Sequence, residues 1–240
     1  MVAAAAAFAE DGQKPPRHID WPFSGIFGNV DKQAAQRGFQ VYKEVCSACH
    51  PLTHIAFRNL EDIGFSEAEV KVLASSYQIA DGPNDSGDMF QRPGKPSDYF
   101  PSPYANDEAG RALHNGALPP DLSLIIKARK NGPDYVYSLL TGFSPPPAGV
   151  MLTAGQNYNP YFPGGKLMMP PPLTEGQVTY TDGTPASVDQ MTRDVVVFLQ
   201  WAAEPEMEER KEMGIKALVY LAIFTIFMYL AKRNLWRKLH

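Results

Sequence analysis

Cys46-Ser-Ala-Cys49-His50 is the stretch on which the reading of this chain turns. It has the C-x-x-C-H spacing of covalent haem attachment. Two thiols about one helical turn apart can reach the two vinyl groups on one edge of a porphyrin. The next residue then projects its imidazole onto the iron from the same side. Two other readings compete. A redox dithiol has no need of His50, and half a zinc site needs further Cys or His ligands that the nearby sequence lacks. These are also the only two cysteines in the chain, so no disulfide framework claims them. The expectation is one haem c, attached through Cys46 and Cys49 with His50 on the iron.

Upstream of the motif, Asp31 is placed to cap a helix from Lys32 to about Cys46, with Ala35, Phe39, Tyr42 and Val45 as its apolar stripe. Downstream, Ser66-Glu-Ala-Glu69 is a capping box opening a second helix to about Tyr77. Short helices are expected over 106–115, 121–130 and 133–140, punctuated by Gly116, Asn131-Gly132 and Gly142. A further capping box at Ser187-Val-Asp-Gln190 starts a helix to about Ala203, with Met191, Val195, Phe198 and Leu199 on one face. Between these lie two loops, 81–103 and 142–186, which hold most of the 22 prolines. Loops of that length in a compact domain need something to pack against, and a large buried cofactor would serve. No strand series or internal repeat is evident. The expected class is all-α, one cytochrome c-like haem domain with long Pro-rich loops.

From Met213 to Ala231 the chain runs apolar on every face, with Lys216 as the one charge. Nineteen residues make about 28 Å of helix, close to the hydrocarbon thickness of a bilayer. Lys232, Arg233, Trp236, Arg237 and Lys238 follow at once, the basic and aromatic flank of a cytoplasmic membrane face. The sequence therefore divides into a domain over 10–212, a transmembrane helix over 213–231 and a basic tail over 232–240. At the other end, Ala7-Phe8-Ala9 has the small-x-small form of an export-signal remnant, which assigns 1–9 to that role. Residues 1–212 hold 17 of the 22 basic and all 26 acidic side chains, a balance of −9. That acidity disfavours nucleic acid and favours a basic protein partner.

The second axial ligand must come from elsewhere, and its identity separates electron transfer from open-site chemistry. In Pro160-Tyr-Phe-Pro-Gly-Gly-Lys-Leu-Met168-Met169-Pro170-Pro-Pro172, a residue directly before Pro is held extended and the prolines stiffen the backbone after it. Met169 is the foremost candidate on that ground. Met168, Met89, His54 and His114 remain open.

Gly38-Phe-Gln-Val-Tyr-Lys-Glu-Val-Cys-Ser-Ala-Cys-His50 resembles cytochrome c1, the haem subunit of the cytochrome bc1 complex. So do Gly116-Ala-Leu-Pro-Pro-Asp-Leu-Ser123, Asp134-Tyr-Val-Tyr-Ser-Leu-Leu-Thr-Gly142 and Tyr158-Asn-Pro-Tyr-Phe-Pro-Gly164, and the tether matches as well. The resemblance implies His50 and Met169 as axial ligands, Arg129 and Tyr135 beside a haem propionate, and Pro120 in the pocket wall. Residue 168 departs from it, being a second Met where relatives often carry a small residue. Read from the residues alone, Arg129 is one of three cations, with Lys127 and Lys130, any of which could meet an anionic propionate. The implied role is non-catalytic on its own. It passes one electron from the Rieske iron–sulfur protein to a soluble basic cytochrome c, beside cytochrome b, within a respiratory or photosynthetic quinol:cytochrome c oxidoreductase. The implied place is a bacterial cytoplasmic membrane, with the haem domain periplasmic and the C-terminus cytoplasmic. Two rivals differ in class: a tethered cytochrome c serving a terminal oxidase or reductase, and an open-site haem peroxidase or sensor.

Overall fold

In the computed structural model, which describes residues 13–237, two helices cross at the centre of the soluble part. Helix α1 (Lys32–Val41) is capped by Asp31, whose carboxylate accepts from the Gln33 and Ala34 amides. It runs directly into a π-helical turn, Tyr42–Cys46. Helix α5 (Val188–Ala203) is capped by Ser187 and buries eleven of its sixteen residues. The crossing depends on Gly38. A Cβ there would lie 2.0 Å from the Asp194 carbonyl oxygen and 2.7 Å from the Phe198 Cβ. Both of those atoms belong to the facing helix and cannot swing aside. Gly38→Ala is therefore expected to destabilise the fold by about 1–3 kcal/mol or more through overpacking, read as a lower denaturant midpoint with little change in slope.

Aromatic rings fill the space around that crossing. Phe39 packs on Phe65, Phe100 and Phe198 with centroids 5.5 to 5.9 Å apart. Tyr42 sits between Phe198 and Phe100. A charged contact lies beside them. Arg37 meets Asp194 through Nε at 3.0 Å and Nη2 at 3.1 Å, and Asp182 through Nη1 at 2.8 Å. Asp194 is 1% exposed, so this pair is desolvated at the helix crossing.

Around this centre lie a 3-10 helix (Phe57–Ile63), α2 (Glu67–Ser75), α3 (Asp107–Leu113) and α4 (Gly132–Leu140). The Ser66–Glu69 capping box forms as expected. Two small antiparallel ladders break up the regions read as loops: β1 (Gln78–Asp81) with β2 (Phe90–Pro93), and β3 (Asn157–Tyr158) with β4 (Lys166–Leu167). Strands of four and two residues are too short to carry a readable alternation, and no residue of either ladder is buried. Arg92 pins the first ladder by pairing with Asp81 and Asp98.

The expected helix over 121–130 is a run of turns instead. Its backbone is claimed from outside. The Leu122 amide donates to the Pro51 carbonyl at 2.9 Å, and the Asp121 side chain takes the Ser123 amide at 2.7 Å. At its end, Gly132 lies so close that a Cβ would meet the Ile126 oxygen at 1.8 Å.

Helix α6 runs from Met207 to Arg237, 31 residues, and its apolar window has mean hydropathy 1.9 with none of it buried. It begins six residues before the expected span because its first turns are bonded to the domain. The Val30 amide donates to Glu208 Oε1 at 2.7 Å, and Lys211 Nζ donates to the Phe23 and Gly28 carbonyls at 2.7 and 2.8 Å. At the far end Lys232 stacks over the Trp236 ring at 4.6 Å. The Ala7-Phe8-Ala9 motif lies outside the described residues, as does Lys238.

Candidate functional site

The two cysteines and His50 are carried on the continuation of α1. The Ser47 amide donates to the Tyr42 carbonyl at 2.8 Å, the Cys49 amide to Cys46 at 3.1 Å and the His50 amide to Cys46 at 2.9 Å. One tight turn thus holds all three side chains. The Tyr42 hydroxyl, from the buried ring beneath, donates to the His50 carbonyl at 3.1 Å. Helix packing is in this way transmitted to the turn that bears the chemistry. Both cysteines are free thiols. Burial pushes the Cys46 thiol up to about 12, with Cys49 adding to the effect.

His50 is oriented from across the site. Its Nδ1 lies 2.8 Å from the Pro120 carbonyl oxygen. A carbonyl can only accept, so Nδ1 carries the proton and Nε2 keeps its lone pair. Burial lowers the imidazole pKa, which favours the neutral form a metal requires. The segment that supplies Pro120 is itself laced to the residues after His50. Thr53 donates from its amide (3.0 Å) and hydroxyl (2.6 Å) to Asp121 Oδ2, and the His54 amide donates to the Ser123 hydroxyl at 3.1 Å. Burial acts to raise the Asp121 carboxyl, but the hydrogen bonds from Ser123 and Thr53 outweigh it and hold it below its usual range. The Tyr104 hydroxyl fixes the neighbouring Pro119 carbonyl at 3.0 Å. An open groove of about 420 Å³ adjoins this lattice, lined in part by Pro51, Tyr104, Asp107, Leu118 and Pro120.

The donor set fits a haem c. Two free thiols and a neutral imidazole with a fixed tautomer share one turn. Among the described residues no group of three or more His, Cys, Asp or Glu is arranged to hold a metal ion, so a zinc site has no ligand set there.

Comparison with known proteins decides the family. The family model for the cytochrome C1 family matches residues 21–239. The chain is 48% identical to cytochrome b/c1 of Bradyrhizobium diazoefficiens, an alignment covering all of this chain and 39% of that longer protein. It is 49% identical to the mitochondrial heme protein cytochrome c1 1 of Arabidopsis thaliana over 98% of this chain and 76% of the relative. Against cytochrome c1 of Rhodospirillum rubrum it is 45% identical, over 99% and 93% of the two lengths.

The chain belongs to the cytochrome c1 family. Haem c binding and electron transport in a cytochrome bc1 complex are properties of that family, and the long apolar helix suits a membrane-anchored member. In this chain the sequence-derived residues fall into groups. Cys46, Cys49, His50 and Pro120 come together directly. Arg129 and Tyr135 are also neighbours. Burial in α4 pushes the Tyr135 phenol up, while the Arg129 cation beside it pulls the other way. Arg129 is exposed and donates to the Ala128 carbonyl at 3.0 Å. Met169 is half-buried just after β4. No hydrogen bond among the described residues joins Met169 or Arg129 to the His50 cluster. The Met168 side chain reaches the 153–157 turn, its Cε 3.3 Å from where a Cβ on Gly155 would sit.

Thr53, Asp121, Ser123 and the Tyr42 hydroxyl are site-positioning groups that sequence reasoning missed. Asp121-x-Ser123 after two prolines carries an Asx-turn signature that could have flagged the turn. Nothing local shows that the same carboxylate also serves Thr53, 68 positions away.

Proposed function

We propose that this chain is the electron-transferring haem c subunit of a quinol:cytochrome c oxidoreductase. It would accept one electron from the Rieske iron–sulfur protein and deliver it to a soluble, basic cytochrome c. The carrying observation is the His50 Nδ1–Pro120 contact on the C-x-x-C-H turn, which prepares a ligand nitrogen of fixed tautomer and orientation. Cys46 and Cys49 would hold the haem by thioether bonds, and His50 and Met169 would supply its protein ligands. Arg129 and Tyr135 are assigned to a propionate, and the Pro120 ring to the pocket wall. When bound, the haem supplies a one-electron Fe(III)/Fe(II) couple whose potential thioether ligation raises. Such ligation would leave no place for substrate on the iron, and the family match supports electron transfer over the peroxidase reading. Met168 is engaged by its packing on the Gly155 turn, which supports Met169 as the ligand of the pair.

The topology assigned is a periplasmic domain over 10–212, a span over 213–231 and a cytoplasmic basic tail, in a bacterial inner membrane beside cytochrome b. The basic cluster after the span supports that orientation.

Several acidic side chains of the −9 domain are already engaged: Asp81 with Arg92, Glu204 with Lys127 and Arg210, and Glu208 with the Val30 amide. Asp107 and Glu108 are exposed at the start of α3, where Asp107 lines the groove beside Pro120. The second-order rate of electron transfer to a basic cytochrome c is expected to fall steeply with salt, since the screening length shrinks from about 10 Å at 0.1 M to about 3 Å at 1 M. Asp107→Asn with Glu108→Gln should flatten that slope, while Glu206→Gln should not. Transfer from the iron–sulfur protein, held in the same complex, should change less. A rate that is flat or rising with salt would overturn the electrostatic dock and point to an apolar one.

A further inference from the structure

A second apolar feature lies at the level where α6 leaves the domain. Residues Pro22 to Asn29 form a closed loop. The Ser24 amide donates to Trp21 at 3.0 Å and the Asn29 amide donates across the loop's mouth to Pro22 at 3.1 Å. Gly25 turns with φ +73°, and a Cβ on Gly28 would come within 2.1 Å of the Ser24 oxygen. The base is anchored in the core by Trp21 and Phe23, which are buried and stacked at 5.5 Å. The tip is the opposite. Ile26 is 65% exposed and Phe27 is 78% exposed, adjacent large apolar side chains held out by a rigid frame.

The same loop is bolted to the membrane helix. Lys211 Nζ takes the Phe23 and Gly28 carbonyls, one on each side of the loop, and Glu208 takes the Val30 amide just after it. Lys211 precedes Met213, the first residue of the apolar window, by two residues, or about 3 Å of helix. Glu208 precedes it by five, or about 7.5 Å. The polar interface on one side of a bilayer is itself only about 5–8 Å deep, half the difference between a bilayer of 40–45 Å and its hydrocarbon core of about 30 Å. The attachment points therefore place the base of the loop at the depth of the interfacial layer whenever α6 spans.

We propose that Ile26 and Phe27 form a membrane-surface contact, seated at the boundary between lipid headgroups and acyl chains. This rests on the reading of α6 as a transmembrane helix. Its occupant is lipid, for the loop is bonded to that helix just before its apolar window begins and carries no charge from Ser24 to Asn29. Apolar side chains on a rigid, core-anchored loop can enter that boundary with little ordering cost, because the frame is already fixed by its own hydrogen bonds. The contact would set the tilt of the domain on the bilayer, which a single helix alone leaves free to swivel.

The test uses the full, haem-loaded chain with its haem kept reduced and diamagnetic, reconstituted into phosphatidylcholine vesicles. A nitroxide is placed in turn at Phe27→Cys, at Phe224→Cys within the apolar span, and at Ser86→Cys on the exposed β1–β2 turn. Collision with oxygen, which prefers lipid, is compared with collision with a water-soluble nickel chelate. The oxygen-to-nickel ratio at position 27 should exceed that at position 86 several-fold, and Ile26→Cys should follow it. Equal ratios at 27 and 86, with a lipid-like ratio at 224, overturn the proposal and leave the span standing. A water-like ratio at 224 takes down the span and the contact together. Protection of position 27 that occurs only in the assembled complex, and not in vesicles, assigns the loop to a protein neighbour and also overturns the proposal.

Discussion

Met169→Leu is expected to leave the haem covalently attached while lowering its reduction potential by tenths of a volt, within the ~0.8 V range that axial ligation spans. The thioether is a soft ligand that favours the reduced iron, and Leu offers no donor. The oxidised spectrum should lose its sulfur-to-iron charge-transfer band, and the iron should become partly high-spin or take up an external ligand. Attachment should survive because Cys46, Cys49 and His50 sit on a separate turn held by Tyr42 and Pro120. Met168→Leu should change the potential little, since its Cε packs against the Gly155 turn and Leu keeps most of that volume. If the effects are reversed between the two, the ligand is Met168. If neither variant moves the spectrum, Met89, His54 or His114 must be tested in turn.

The second large effect concerns the helix crossing. Arg37→Leu should destabilise the domain by about 3–5 kcal/mol, because it strands the Asp194 carboxylate in a site with 1% exposure. For a domain of this size that is roughly 2–4 °C of melting temperature per kcal/mol. Gln190 donates to Asp194 Oδ1 at 3.1 Å, but a single neutral donor cannot replace a bidentate cation. The double variant Arg37→Leu with Asp194→Leu removes the stranded charge as well and should recover most of the loss. Thermal unfolding of the four proteins in the cycle checks this, and additive losses would show that the pair does not act as a unit. Haem incorporation should fall with Arg37→Leu, since Tyr42 and the Cys46–His50 turn are built on the same helix.

Much of the architecture is legible locally. The Asp31, Ser66 and Ser187 caps appear where their side chains and the apolar periodicity beyond them put them. Helix capping and amphipathic spacing are decided within a few residues, so a sequence displays them. The misreadings share one cause. Residues 121–130 have helical composition, yet Leu122 and Asp121 are engaged by Pro51 and Thr53 from 68 to 71 positions away, and that competition wins. The sequence places the first residues of α6 in the domain, ahead of a helix starting at 213, because the partners that draw the helix back to Met207, namely Val30, Phe23 and Gly28, lie at the other end of the chain.

Residue type at short fixed spacing is enough to specify the C-x-x-C-H turn, the apolar span with its basic flank, and the mostly helical character of the domain. Long-range packing alone specifies the orientation of His50, the close approach at Gly38, and the bolting of the Ile26–Phe27 loop to α6. Those outcomes depend on which side chains and close-packed glycines meet which backbone carbonyls across more than a hundred positions of chain, or, for His50 and Pro120, across 70. Backbone groups are the same in every residue, so their partners are fixed by packing and leave no mark in the local sequence.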